Sequence, residues 1–259
     1  MYNKLISYFY MKCKVFSILD YIINLCKQLL HHVFFQAGLP IFLFFLSSCA
    51  TDHEALNRYN KSIDNGIAFE KSGMHDEAFT LYNAIERGLP TEKCDGKIKV
   101  KESSDQIVYT LPSNKFRSIY GEAQVDLIFS AVKPRTGMIL NTSVFIDLYY
   151  PIRHIHHFSD RLIVNILSKG KQCVFEAINI MHQTNDHPGG YSVYRSTRLK
   201  YVFKLTPEEL KEISNQDQLV ITLYKNSDYL RKNLVSVLSS ISDNILAIKN
   251  FYITAYQSN

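Results

Sequence analysis

The sequence predicts a mixed α+β chain: an N-terminal helical hairpin, then an antiparallel β-sandwich, then a helical C-terminal segment. Three observations predict it. Apolar residues between positions 55 and 88 recur at three- and four-residue spacing, as on one face of a helix. From Lys97 the pattern changes to short β-branched and aromatic runs divided by Pro and Gly. Beyond 225 a helical spacing returns. The composition agrees, since 17 Tyr and 16 Phe with no Trp suit half-buried pleated surfaces. A chain of 259 residues can bury one good core, or a core with a small satellite. Its 46% apolar and 20% charged residues exclude a disordered chain and a polytopic membrane protein.

The first element is an apolar leader, residues 1–48. From Val33 to Ser48 the chain is almost wholly apolar, interrupted mainly by Gln36. That is short for a transmembrane helix, which needs about 20 residues, but long enough for the core of a secretory signal. The run ends abruptly in Leu46-Ser47-Ser48-Cys49 and passes into polar "ATDHEALNRYNKS". These four positions resemble the lipobox of bacterial lipoproteins: a branched apolar residue, two small residues and an obligatory cysteine. The resemblance implies cleavage before Cys49, a diacylglycerol on its sulfur and an acyl chain on its new amine. Several acyl chains give stable membrane attachment where one is marginal. The same resemblance makes the residue after the cysteine an address. Ala50, rather than Asp, favours the outer membrane over the inner, on its periplasmic face.

The leader is long for a signal peptide, which usually runs about 15–30 residues. Residues 1–30 form a second amphipathic apolar stretch with its own lysines. Three readings stand: a start placed too far upstream, a long leader, and a retained membrane-associated helix. The first is preferred, because a start near Leu25 leaves a basic Lys27 head, the apolar run and the lipobox. Residues 49–54 then form a lipidated tether.

Residues 55–90 follow as the helical hairpin. Leu56, Tyr59, Ile63, Ile67 and Phe69 line the first helix, and Gly73 suits a left-handed stop. Ala78, Leu81, Tyr82 and Ile85 line the second, with Gly88 and Pro90 ending it. Gly66, Phe69, Ala78, Tyr82 and Pro90 resemble one tetratricopeptide repeat, in which small residues let two helices approach. Ser62, Asn65 and Ile85 depart from that pattern, and no second copy follows. Solenoids normally need about three repeats to bury a core, so a lone hairpin must pack on the next domain or on a partner. The resemblance implies a protein partner at 55–90; an ordinary hairpin is the equal alternative.

The β domain spans 97–225. Its runs are 106–111, 124–132, 142–150, 161–167, 171–180, 199–205 and 218–224. Pro112, Pro134 with Gly137, Pro151, Gly170 and Pro188-Gly189-Gly190 separate them. Seven short runs at this spacing predict an antiparallel sandwich or barrel, with an immunoglobulin-like sandwich as first choice by fold analogy alone. One turn of helix interrupts late: Thr206 as N-cap, Pro207 at the first position and Glu209 closing a capping box. Residues 226–259 are expected to be helical through Leu234, Leu238, Ile241, Ile245 and Ile248.

Charge excludes one class of partner. Four lysines and one aspartate of the leader account for three units of the net +5, leaving +2 on residues 49–259. The tightest basic cluster, Lys97, Lys99 and Lys101, reads as the solvated face of a strand. A nucleic-acid binder concentrates base on one surface, so no nucleic-acid partner is expected.

Candidate chemistry is sparse. His154, His156 and His157 lie close together, with Asp160, His182 and His187 further on. His154 and His156 share a face if the segment is extended, and with a third ligand they could hold Zn²⁺ or Cu²⁺. A solvated polar loop after Pro151 is the favoured reading, since no HExxH or CxxC accompanies the histidines. Once the leader is removed and Cys49 acylated, Cys94 and Cys173 remain. They form either a disulfide, as an oxidising compartment permits, or two separate thiols. Walker, GxGxxG and GxSxG patterns are missing, so no catalytic residues and no cofactor are assigned. The expected function is a lipid-anchored envelope protein facing the periplasm, with a non-catalytic binding or structural role. The alternative is a metal-binding or hydrolytic protein using the histidine loop.

Overall fold

Local signals in the sequence set the first elements. Helix α1 (Gly38–Lys71) ends where Gly73 takes φ +75°. There Met74 N–H donates to Phe69 O at 2.9 Å and Gly73 N–H to Glu70 O at 3.1 Å, which satisfies two of the helix's last carbonyls. Helix α2 (His75–Asn83) begins immediately after. The computed structural model describes residues 38–85, 96–121, 123–150, 159–189 and 192–257, with side chains left out for 38–53, 187–189 and 192–195. The chain divides into two units at a boundary within α1, residues 1–61 and 62–259. In the first, the described residues are helical from Gly38, and α1 runs through Cys49 without a break. Among the described residues no helix is long and apolar enough to cross a membrane.

The second unit is mostly antiparallel sheet. Its strands are β1 (Lys99–Glu102), β2 (Gln106–Asn114), β3 (Arg117–Gly121), β4 (Gln124–Pro134), β5 (Thr142–Tyr150), β6 (Arg161–Ser168), β7 (Lys171–Gly189), β8 (Ser192–Leu205), β9 (Val220–Tyr224) and β10 (Leu234–Ser239). The seven expected runs are all strands. Among the described residues they pair as one ten-stranded sheet in the order β1-β2-β4-β5-β8-β7-β6-β9-β10-β3. Two separately bonded sheets, as in an immunoglobulin-like sandwich, are not what forms. Alternation within each run reports which face is buried, but not which strand lies beside it.

Burial divides the sheet. Strands β4 and β5 alternate, with Leu127, Phe129, Val144 and Ile146 inward and Ile128 and Phe145 half-exposed. Strands β9 and β10 are buried on both faces. One face of the sheet packs into a core with helix α3 (Pro207–Ser214) and helix α4 (Ser242–Tyr252), through Leu210, Ile213, Ile245, Ile248 and Phe251. Phe251 and Phe129 rings lie 6.1 Å apart. Opposite, Ile63, Ile67, Ala78, Phe79 and Tyr82 of the helical pair are buried, as are Leu167, Val220 and Val237.

Two further expectations are corrected. The segment after 225 is not continuously helical: Leu234–Ser239 forms β10 between β9 and β3, and helix resumes only at Ser242. A strand covered on both faces reads as an unbroken apolar run, and a run of that kind fits helical spacing equally well. The β7–β8 hairpin is also longer than its apolar runs. Its polar outer half, Gln183–Asp186 against Arg195–Arg198, pairs beyond the reach of β6. The short helix follows expectation: Glu209 N–H donates to Thr206 Oγ1 at 3.2 Å, and Thr206 N–H to Glu209 Oε2 at 2.8 Å.

Candidate functional site

The sequence-derived candidates separate on the structure. Cys49 stands in α1, where side chains are not described. Cys94, Pro90 and the histidines 154, 156 and 157 lie outside the described residues. Asp160 is at the foot of β6, where its carbonyl accepts from Asn179 N–H at 2.8 Å. His182 is exposed on β7 with its Nε2 3.4 Å from Thr184 Oγ1, and His187 falls further along the same strand. Among the described residues no three His, Cys, Asp or Glu side chains converge on a metal-sized point. Cys173 is half-buried on β7, opposite Ile166 of β6, and burial pushes its thiol pKa up. The Cys94–Cys173 bridge therefore lies outside what the described residues can join.

The strongest polar constellation involves a residue the sequence reading passed over. Glu70 follows Ile63 and Ile67 on the inward face of α1, at the spacing that keeps residues on one side of a helix. Only 3% of it is exposed. Oε1 accepts from the Tyr82 hydroxyl at 2.8 Å and from the Tyr224 hydroxyl at 3.1 Å. Oε2 accepts from Asn165 Nδ2 at 2.9 Å and from Thr222 Oγ1 at 3.0 Å. Asn165 also receives the Tyr229 hydroxyl on its Oδ1 at 3.4 Å. One carboxyl thus joins both helices to β6 and β9.

A glycine makes this possible. A Cβ on Gly66 would stand 2.4 Å from Tyr82 Cε1 and 2.5 Å from its Cζ. Only a residue without a side chain lets the tyrosine ring cross α1 closely enough to reach Glu70. Both Gly66 and Tyr82 belong to the repeat-like pattern, so their spacing carries a real steric requirement. Asp64 adds an outer tie: Arg231 Nη1 lies 2.8 Å from both of its oxygens. The same guanidinium sits 5.5 Å above the Tyr120 ring.

The surroundings of Glu70 push its pKa up from the ordinary carboxylate value. Desolvation by burial is the largest influence and raises its pKa, while the four donors pull it back. None of these four partners carries a positive charge. Burial, with the Glu70 charge second, also pushes the Tyr82 and Tyr224 hydroxyls upward. Enclosed in this way, the carboxyl cannot meet a substrate. What the arrangement can do is hold a helical layer in one orientation on the sheet. A Glu at an inward helical position beside Ile63 and Ile67 was the available sequence signal.

The remaining candidate surface is the open face of the sheet. Ile178, Val202, Phe145 and Ile128 pair in register across β7, β8, β5 and β4. All four keep solvent exposure, and Val174 and Ile180 of β7 are exposed too. Beside this row the buried Asp147 holds Arg198 through two hydrogen bonds, the Nε one at 2.8 Å, with Lys200 Nζ 3.9 Å away. The result is an apolar stripe bordered by fixed charge, the kind of surface that suits contact with another molecule. Among the described residues the buried core has a small gap lined wholly by apolar side chains, including Phe129, Phe203, Ile213 and Ile248. No family model, curated protein or solved structure matches this chain.

Proposed function

We propose that this chain is a lipid-anchored protein of the bacterial cell envelope, attached through Cys49 to the outer membrane and facing the periplasm, with a non-catalytic binding or structural role. The observation that carries the anchor is the fit of Leu46-Ser47-Ser48-Cys49 to all four lipobox positions, directly after an apolar run. The binding role draws support from the Ile178–Val202–Phe145–Ile128 row on an open sheet face. The helical pair serves this reading as a brace. Its apolar residues from Ile63 onward are buried, so a partner at 55–90 would meet exposed polar positions such as Asp64 and Asn65.

Intact mass spectrometry of the chain extracted from membranes tests the anchor. The expected species begins at Cys49 and carries diacylglycerol and acyl mass, and Cys49→Ser abolishes that species. An extracted wild-type chain without lipid mass would refute the anchor. Mass is a better readout than fractionation, because a retained apolar leader would hold even an unlipidated chain in the membrane.

A further inference from the structure

We propose that the β4–β5 loop docks the folded unit onto a lipid bilayer by placing Met138 and Leu140 in the interfacial layer. Among the described residues these are the two most exposed large apolar side chains, at 83% and 77%. Between them Ile139 is buried in the core cluster. The buried residue pins the loop and leaves its two neighbours in solvent. Scattered apolar residues on a surface are ordinary. A pair held out on either side of a buried anchor is a shaped feature.

The loop's foot is rigid. Gly137 N–H donates to Pro134 O at 3.2 Å, and Arg135 N–H to Asp105 O at 3.0 Å. The Arg135 guanidinium bonds Glu102 at 3.0 Å and Ser103 O at 3.3 Å. A loop already held in shape loses little freedom on docking. Thr142, at the start of β5, shares a 2.7 Å hydrogen bond with the Tyr256 hydroxyl, and Tyr252 stacks on Tyr256 at 5.4 Å. Two half-buried tyrosines therefore flank the loop's far foot, with Ile253 exposed on the same C-terminal turn. Tyrosine is a residue of the membrane–water interface, where its ring and hydroxyl meet different surroundings.

Charge is balanced at the loop's foot: Arg135 pairs with Glu102, and Lys133 is the other base between Leu127 and Ile146, so the apolar pair carries the contact. Two side chains alone bind a membrane weakly. On a chain already held at the bilayer the second contact becomes intramolecular, and its effective concentration is high. That last step rests on the lipid-anchor reading.

The absence of Trp from the chain provides the experiment. Met138→Trp, and separately Leu140→Trp, create a sole tryptophan at an exposed position that the core does not use. The full-length chain purified from membranes is mixed with vesicles of phosphatidylethanolamine and phosphatidylglycerol, with and without brominated acyl chains. In both variants emission should shift to the blue, and brominated lipid should lower it at least about twofold, as for side chains at the acyl boundary. Ile178→Trp, on the sheet face, should remain unquenched. Sedimentation of the vesicles is read in parallel. A chain that sediments without quenching at either loop position overturns the loop proposal and leaves the anchor standing. A chain that neither sediments nor is quenched overturns both. Quenching at Ile178→Trp in place of the loop positions also overturns it, because the open sheet face would then be the membrane face.

Discussion

Replacing Glu70 with Gln weighs burial against hydrogen bonding at the junction of helices and sheet. The carboxyl accepts from Tyr82, Tyr224, Asn165 and Thr222, and no cation sits among these partners. Desolvation is the largest influence on its pKa and raises it; the four donors oppose without cancelling. A carboxyl whose folded-state pKa lies above its unfolded value contributes stability that is complete below the unfolded pKa. That contribution is lost as pH rises through the folded value. The unfolded value is about 4.3, so the loss begins near there and proceeds at up to about 1.4 kcal/mol per pH unit. The Gln side chain does not ionise and lacks this dependence. Its amide, however, turns donors toward a site already supplied with donors. With its nitrogen toward the Tyr82 and Tyr224 hydroxyls the amide keeps its oxygen on Asn165 and Thr222, but the two hydroxyls must then accept and their own protons lose an acceptor, at a cost of about 1–2 kcal/mol. At acid pH the variant is therefore expected to be the less stable protein by about that amount, and the gap closes as pH rises. Urea unfolding of both proteins from about pH 4 to about pH 8 measures it, and the difference cancels the other titrating groups. A gap that widens with pH would refute the reasoning, because the four donors would then outweigh burial. A gap independent of pH would refute it equally.

Two further substitutions probe the same construction. Gly66→Ala puts a methyl within 2.5 Å of the Tyr82 ring, and overpacking of this kind costs about 1–3 kcal/mol. The urea midpoint should fall accordingly, while an unchanged midpoint would mean the helices separate freely. Thr206→Ala removes the hydroxyl that accepts from Glu209 N–H and should cost about 1 kcal/mol. A double-mutant cycle with Glu209→Ala should show coupling between the two, since each side chain bonds the other's backbone.

Some of this fold is written locally. Thr206-Pro207-Glu208-Glu209 announces a helix start through atoms three residues apart, and the structure has it. Gly73 stops α1 for a reason contained in its own backbone. The strand runs on β4 and β5 show their alternation because one face is in the core and the other is not. The signals fail where burial is two-sided. Leu234-Val235-Ser236-Val237-Leu238 has no polar face to reveal a period, and its strand state depends on β9 and β3 standing on either side. The helical spacing could mark Glu70 as inward, but its partners were illegible for a related reason: its donors come from positions 82, 165, 222 and 224, and nothing in those separations marks them as neighbours.

The sequence alone therefore determined a chain of mixed α+β class, rich in antiparallel strands, with its main turns and one capped helix. These follow from steric and hydrogen-bonding preferences acting over a few residues. Only the tertiary structure decided that the described strands join in one ten-stranded sheet, that β10 interrupts the C-terminal helical spacing, and that Glu70 ties the helical layer down. It also decided which apolar residues stay in solvent, from the sheet row to Met138 and Leu140. Pairing partners and exposure are set by contacts between distant segments, which periodicity along one segment does not encode.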